Sequence, residues 1–172
     1  QITRTSHPSL DAAIDLLWSV SIGKGDQARH RITAEPVVFD GKIFTVDSLM
    51  VLSATTKDGK ILWRKDLTPD GESSGEVSGA GLAAGAGKIF VTTAYGLLHA
   101  IDPSSGQEIW SQRLLGCGST RPTYYDGLVY LVSNDESAWS VDAENGRVNW
   151  TLDNFSDVNN LISNSAPALS LI

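Results

Sequence analysis

Cysteine, basic residues and long apolar runs are scarce in this sequence. The 172 residues include one cysteine, Cys117, which excludes an intrachain disulfide framework and a multi-cysteine metal site. There are 13 basic residues against 20 acidic ones, for a formal net charge of −7. Because phosphate neutralisation needs clustered lysine and arginine, this balance argues against a nucleic-acid partner. No apolar run approaches the roughly 20 residues of a membrane-spanning helix.

The two ends of the chain point to a longer protein. It begins at Gln1 without a charged stretch that leads into an apolar one, so we expect a signal peptide to be absent or already removed. It ends in the apolar residues 168–172, a pattern typical of a strand interior. We therefore expect this chain to be a piece of a larger protein.

Tryptophan and glycine recur at regular intervals along the chain. Successive members of the tryptophan series are separated by 45, 47 and 40 residues, namely Trp18, Trp63, Trp110 and Trp150. A glycine lies four residues before each of the last three, at Gly59, Gly106 and Gly146. An aspartate lies four residues before two of these glycines, at Asp102 and Asp142, with Thr55 in the first copy. Three such copies indicate an internal repeat.

Each repeat contains four short runs typical of β-strands, separated by glycine-containing turns. Repeats of about 40–45 residues with four strands are typical of β-propeller blades. The sequence therefore predicts an all-β propeller fragment with three complete four-stranded antiparallel blades. The predicted boundaries are a closing strand at 15–21, blades at 34–66, 81–113 and 120–152, and the start of a fourth blade at 165–172.

The recurrence of Asp, Gly and Trp indicates a structural role for all three. A short carboxylate before a turn accepts backbone hydrogen bonds, and glycine permits a left-handed backbone. Tryptophan offers a large apolar face to a neighbouring blade and an indole N–H that needs a partner. We expect Trp63, Trp110 and Trp150 to be largely buried at equivalent positions. We also expect Thr55→Asp to be neutral or slightly stabilising, since it restores the missing acceptor.

The pattern Ala-x-Asp-x-x-x-Gly-x-x-x-Trp at residues 100–110 resembles the tryptophan-docking repeat of quinoprotein-type propellers. Two branches share this repeat: the pyrroloquinoline-quinone-dependent dehydrogenases and the BamB-type lipoproteins of the outer-membrane β-barrel assembly machinery. The chain is more similar to the BamB-type branch in the stretches that open its blades. These stretches are residues 17–23, 34–38, 78–83, 120–123 and 165–167.

The BamB-type resemblance implies a closed ring of eight blades, of which this chain supplies the N-terminal part. It implies a non-enzymatic scaffold on the periplasmic face of the outer membrane of a Gram-negative bacterium. It also implies attachment to the membrane through a lipid anchor, which we expect to lie upstream of Gln1. The implied partners are the barrel insertase and unfolded outer-membrane proteins. Within the loop that carries the docking residues of such proteins, Leu161 and Ile162 are the candidate partner-binding positions.

Two alternatives stay open. A fragment of a quinone-dependent dehydrogenase would be an enzyme, but that branch carries an adjacent cysteine pair where this chain has Cys117 alone. A propeller with an extracytoplasmic binding or sensor role is the second alternative. The histidines share no metal-ligand spacing, at His7, His30 and His99. We assign no catalytic, cofactor-binding or metal-binding residue, and interpret His99 as a surface or blade-packing residue.

An arc of three blades leaves an apolar face open at each end. Exposed apolar patches beyond a few hundred Å² usually mark association surfaces. We therefore expect the isolated 172-residue chain to self-associate or to be part of a larger ring.

Overall fold

The computed structural model describes residues 16–23, 32–73, 75, 77, 79–114, 116, 120–135, 137–152 and 167. All regular secondary structure in these residues is β-strand. The strands are β1 (Val37–Phe39), β2 (Lys42–Val46), β3 (Val51–Thr56), β4 (Ile61–Asp66), β5 (Ala80–Gly85), β6 (Lys88–Thr93), β7 (Leu97–Ile101), β8 (Glu108–Arg113), β9 (Thr123–Tyr125), β10 (Leu128–Val132), β11 (Ala138–Asp142) and β12 (Val148–Leu152). The candidates His7, His30, Cys117, Leu161 and Ile162 lie outside the described residues.

The strands form three four-stranded antiparallel sheets in simple chain order: β1–β4 (blade 1), β5–β8 (blade 2) and β9–β12 (blade 3). The first strands lie side by side, with β1 beside β5 and β5 beside β9. This places β4, β8 and β12 at the outer edges of the blades. The predicted all-β class with four-stranded antiparallel blades is confirmed.

The first hairpin of each blade uses the same two-residue turn. Its first residue has a positive φ in all three blades, 48° at Asp40, 48° at Ala86 and 46° at Asp126. The glycine that follows has a φ of 69°, 70° or 80°, respectively. Positive φ at both central residues is the signature of a tight turn whose twist matches the strands. The turn therefore sets the register of the two inner strands of each blade.

The core lies between blades rather than within one sheet. Alternate residues of a strand point to opposite faces. In β6, Ile89 and Val91 join the core shared with blade 1, whereas Phe90 joins the core shared with blade 3. All three side chains are 0 % exposed. Blade 2 is thus covered on both faces, as the middle layer of a stack.

A closing strand was predicted at 15–21, and the described residues 16–23 form no strand. It lies across blade 1 instead. The Arg64 guanidinium donates to the Ser21 carbonyl at 3.0 Å, and the Ser53 hydroxyl donates to the Ile22 carbonyl at 3.3 Å. A strand needs a sheet to join, and the described residues contain no sheet on that side of blade 1.

Candidate functional site

The contact that recurs between blades is a tryptophan seated on a turn of the next blade. Trp63 lies in β4 of blade 1, and its indole N–H donates to the Pro103 carbonyl of blade 2 at 3.3 Å. A Cβ added at Gly106 would lie 2.8 Å from Cδ2 of Trp63. Only glycine therefore leaves room for the ring, and the φ of 74° at Gly106 also disfavours any other residue.

The same contact forms on both sides of this junction. Trp110 of blade 2 donates to the Ala143 carbonyl of blade 3 at 3.2 Å, with its ring over Gly146. Trp18 donates to the Lys57 carbonyl of blade 1 at 2.6 Å, with its ring over Gly59. Each described blade therefore receives a tryptophan from the segment that precedes it.

The aspartate of the repeat shapes the turn that receives the ring. Asp102 Oδ1 accepts the backbone N–H of Ser104 at 2.9 Å and of Ser105 at 2.7 Å. It also accepts the Ser105 hydroxyl at 2.8 Å. These hydrogen bonds hold the pKa of Asp102 below its ordinary value, and the two from Ser105 contribute most. Asp142 accepts the N–H groups of Glu144 and Asn145 in the same way, at 2.7 and 3.2 Å.

The first turn corrects the sequence alignment of the repeats. The Trp18 acceptor is Lys57, so the residue at the aspartate position is Thr56, one residue after Thr55. The Thr56 hydroxyl accepts the N–H of Lys60 at 3.1 Å. Thr55 is instead 2 % exposed and donates to the Ile43 carbonyl at 3.3 Å. The assignment of Thr55 to the aspartate position was wrong, and we now expect Thr55→Asp to be destabilising, because a carboxylate there would be buried within blade 1.

The predicted burial of the tryptophans holds only in part. Trp63 and Trp110 are half-buried, each packed on an aromatic residue of its own blade. Trp150 is 43 % exposed, so the prediction of burial was wrong for this residue. A tryptophan is covered by the turn of the following blade, and no such turn follows blade 3 in the described residues. Val148 and Leu152 beside it are exposed as well.

A charged pair lies just before the first strands of blades 1 and 3. Glu35, Gly81 and Arg121 each lie five residues before the first hairpin turn of their blade. Arg121 and Glu35 form an ion pair at 2.8 Å that links blade 3 to blade 1. Gly81 lies between them, and a Cβ there would lie 2.6 Å from the Arg121 Cα. Both charged side chains are more than half exposed, so this pair contributes little to stability.

A feature that the sequence analysis did not identify is the pair formed by His99 and Glu108. His99 is 5 % exposed, and its Nδ1 lies 2.6 Å from a Glu108 carboxylate oxygen. Burial, opposed by the Glu108 hydrogen bond, lowers the pKa of His99, so the ring is neutral at neutral pH. The alignment of the repeats was the sequence signal that could have drawn attention to His99. It occupies the position of Ser53 in blade 1 and of Trp139 in blade 3.

The hydrogen bonds around His99 differ from those of a nucleophilic serine site. A nucleophilic serine needs a hydrogen bond to the histidine, whereas Ser111 bonds to Glu108. His99 Nε2 has no hydrogen-bond partner in the described part of the chain. Within the same residues no group of three or more His, Cys, Asp and Glu side chains is placed to hold a metal ion. The described residues also contain no helix that could cross a membrane.

The chain is similar in sequence and in structure to known proteins. A family model described as outer membrane protein assembly factor BamB matches residues 50–171. The BamB protein of Yersinia pestis is 26 % identical over 162 residues, covering 90 % of this chain and 40 % of the relative. The chain thus spans less than half the length of this relative. A crystal structure of BamB from Moraxella catarrhalis superposes with a TM-score of 0.59 at 21 % identity, over 74 % of this chain and 38 % of the other.

A second group of similar proteins consists of quinone-dependent enzymes. The quinohemoprotein alcohol dehydrogenase ADH-IIG of Pseudomonas putida is 34 % identical over 103 residues, or 57 % of this chain and 14 % of the relative. Both groups therefore share the repeat, and the solved structures establish the propeller fold.

Proposed function

The chain belongs to the family of the outer-membrane protein assembly factor BamB, and from this premise we propose that it is part of a non-enzymatic scaffold in β-barrel assembly. The observation that carries the proposal is the family match over residues 50–171. The scaffold lies on the periplasmic face of the outer membrane of a Gram-negative bacterium, held by an upstream lipid anchor. Its ring has eight blades, of which three are described here.

The docked tryptophans support a scaffold role. Each indole fixes one blade on the next through a carbonyl acceptor and a glycine contact. The hydrogen bond and the close apolar contact together make the spacing between blades rigid. A rigid ring presents its loops at constant separation, which suits a protein that holds other proteins.

The proposed partners are the barrel insertase and unfolded outer-membrane proteins. We place the insertase contact at the loop that carries Leu161 and Ile162. The test is binding of the purified insertase to the intact protein, with Leu161→Glu and Ile162→Glu combined. Lys60→Glu, at an exposed position of a blade turn, serves as the matched charge change. Loss of binding in the loop variant alone supports the proposal, and equal binding of both variants overturns this assignment.

A dehydrogenase fragment is the second candidate, favoured by the 34 % identity to a quinohemoprotein alcohol dehydrogenase. The match covers 57 % of this chain and 14 % of the dehydrogenase, and this chain lacks the adjacent cysteine pair of that branch. Addition of pyrroloquinoline quinone and Ca²⁺ to the intact protein separates the candidates. Saturable quinone absorbance with reduction of a dye by an alcohol would establish the enzyme, and neither signal is expected from the scaffold.

A further inference from the structure

A polar cleft of about 410 Å³ lies between blades 1 and 2, beside the docked Trp63. Blade 1 contributes residues 65–70, and blade 2 contributes Leu97, His99, Glu108 and Ser111. The cleft is therefore formed by the junction and exists only when the two blades are stacked.

Two buried polar atoms in the lining have no partner in the described part of the chain, His99 Nε2 and Thr68 Oγ1. An unpaired buried polar atom destabilises the folded chain, so an occupant that bonds to it is favoured. Because the Nδ1–H of the neutral ring is donated to Glu108, Nε2 carries a lone pair. The occupant must therefore supply a hydrogen-bond donor.

The charge of the lining specifies the sign of this occupant. Asp66, Asp70 and Glu108 contribute three carboxylates, and Lys65 is the single cation among the lining residues. Burial opposes ionisation of Glu108, but the hydrogen bonds from His99 and Ser111 outweigh it and hold the pKa of Glu108 below its ordinary value. The carboxylate is 36 % exposed and so remains accessible from the cleft. The excess of negative charge favours a cation.

The neighbouring junctions show that these features are specific to blade 2. The corresponding cleft between residues 21–23 and blade 1 contains Asp47 and Arg64 and no histidine. Ser53, which occupies the position of His99, is bonded to the Ile22 carbonyl at 3.3 Å. In blade 3 the position holds Trp139, whose indole donates to the Ser133 hydroxyl at 3.0 Å. The repeat satisfies this position in blades 1 and 3 and leaves it unsatisfied in blade 2.

We propose that the cleft between blades 1 and 2 binds a primary ammonium group, through Glu108 and the Nε2 of His99. An ammonium carries three N–H donors and one positive charge, which matches an acceptor nitrogen beside a carboxylate. The group is small enough for the cleft and needs no metal-ligand set. This inference uses none of the residues of the proposed insertase contact, and it stands or falls independently of that contact.

The test is imidazole ¹⁵N NMR of the intact protein during titration with methylammonium chloride at constant ionic strength. Tetramethylammonium, which has the charge but no N–H donor, is the matched probe. We expect a saturable shift of His99 Nε2 with methylammonium and none with tetramethylammonium. N-acetyl-lysine methylamide forms a third arm, which distinguishes an ammonium on a peptide side chain from a free amine.

Variants assign the shift to the named residues. Glu108→Gln removes the charge and His99→Asn removes the inner acceptor, and each should weaken methylammonium binding about tenfold or more. The response of the His99→Asn variant is followed through the backbone amide of Leu97. Ser53→Ala, at the equivalent position of blade 1, should leave the affinity unchanged. Amide spectra of every variant check that the blades remain folded.

The absence of a saturable shift in the intact protein would overturn the proposal and indicate that ordered water alone occupies the cleft. An equal response to methylammonium and tetramethylammonium would also overturn it, since a diffuse charge effect needs no N–H donor. Insertase binding is measured separately, so failure of this test leaves the scaffold proposal unaffected.

Discussion

Trp110 and Trp150 occupy the same position in the outer strands of two consecutive blades, yet their surroundings differ. Trp110 is half-buried, with its indole N–H bonded to Ala143 and its ring against Gly146. Trp150 is 43 % exposed. Both pack on an aromatic side chain of their own blade, Phe90 at 6.0 Å and Tyr130 at 6.2 Å between ring centroids. The contacts within the blade are therefore matched, and the difference comes from the following blade.

The stabilising effect of the repeat therefore arises at the junction between two blades. A tryptophan stabilises the chain to the extent that a turn of the next blade covers it. The glycine and the aspartate that precede a tryptophan in sequence serve a different ring, the one that arrives from the blade before.

The largest effect that separates the two residues is expected from alanine substitution. Trp110→Ala should reduce the free energy of unfolding by about 3 kcal/mol, the lower end of the range for a core tryptophan, because the ring is half-buried. Trp150→Ala should cost about 1 kcal/mol or less in the 172-residue chain, since little covers it. Urea denaturation followed by circular dichroism measures both. Equal losses would show that docking adds nothing.

Glycine substitution tests the receiving side of the same junction. Gly146→Ala should cost about 2–3 kcal/mol, because a Cβ would lie 2.6 Å from Cε3 of Trp110 and the φ is 74°. Gly127→Ala, with a φ of 80° and nothing within 4 Å of the added Cβ, should cost about 1 kcal/mol. If melting curves show the same loss of stability for both variants, the contact with Trp110 does not contribute to the cost at Gly146.

A smaller effect is expected in the pH dependence of stability, which arises from His99 in the cleft and not from the tryptophan contact. The folded-state pKa of His99 lies below the value of 6.5 for an unperturbed histidine. As the pH falls toward and below 6.5, the unfolded chain therefore binds more protons than the folded chain. The free energy of unfolding decreases over this range, until the pH reaches the folded-state pKa of His99. Stability measured from pH 7.5 to pH 5 should fall less steeply in His99→Gln than in the wild type. Identical slopes would place the pH dependence elsewhere.

The smallest effect is expected at the turn that receives Trp18. Thr56→Asp should stabilise the chain by about 0.5 kcal/mol, because it supplies the carboxylate acceptor that Asp102 and Asp142 provide in the other turns. Thr56→Val, which removes the acceptor, should be slightly destabilising. Differential scanning calorimetry resolves both changes, and a clear loss in the aspartate variant would contradict the assignment of Thr56 to this position.

Much of the fold was predictable because its signals are local. The hairpin glycines and the four short apolar runs of each repeat indicated twelve strands, and all twelve form. The misplacement of Thr55 came from counting four residues back from Gly59. The first turn is one residue shorter, as the Trp18 bond to Lys57 and the Gly59 bond to the Thr56 carbonyl show. The pairing of His99 with Glu108 was missed because the two residues meet across a strand pair rather than along one face of a single strand.

By itself, the sequence determined the strands, the tight hairpins and the period of the repeat. These depend on alternation, on positive φ at glycine and on short-range hydrogen bonds, which act over a few residues. The tertiary structure alone decided which turn each tryptophan contacts, that Trp150 stays exposed and that His99 is buried. Those properties arise where a second blade, some 40 residues away along the chain, supplies the covering atoms and the acceptor. No local pattern specifies those neighbours, because they exist only after the blades have stacked.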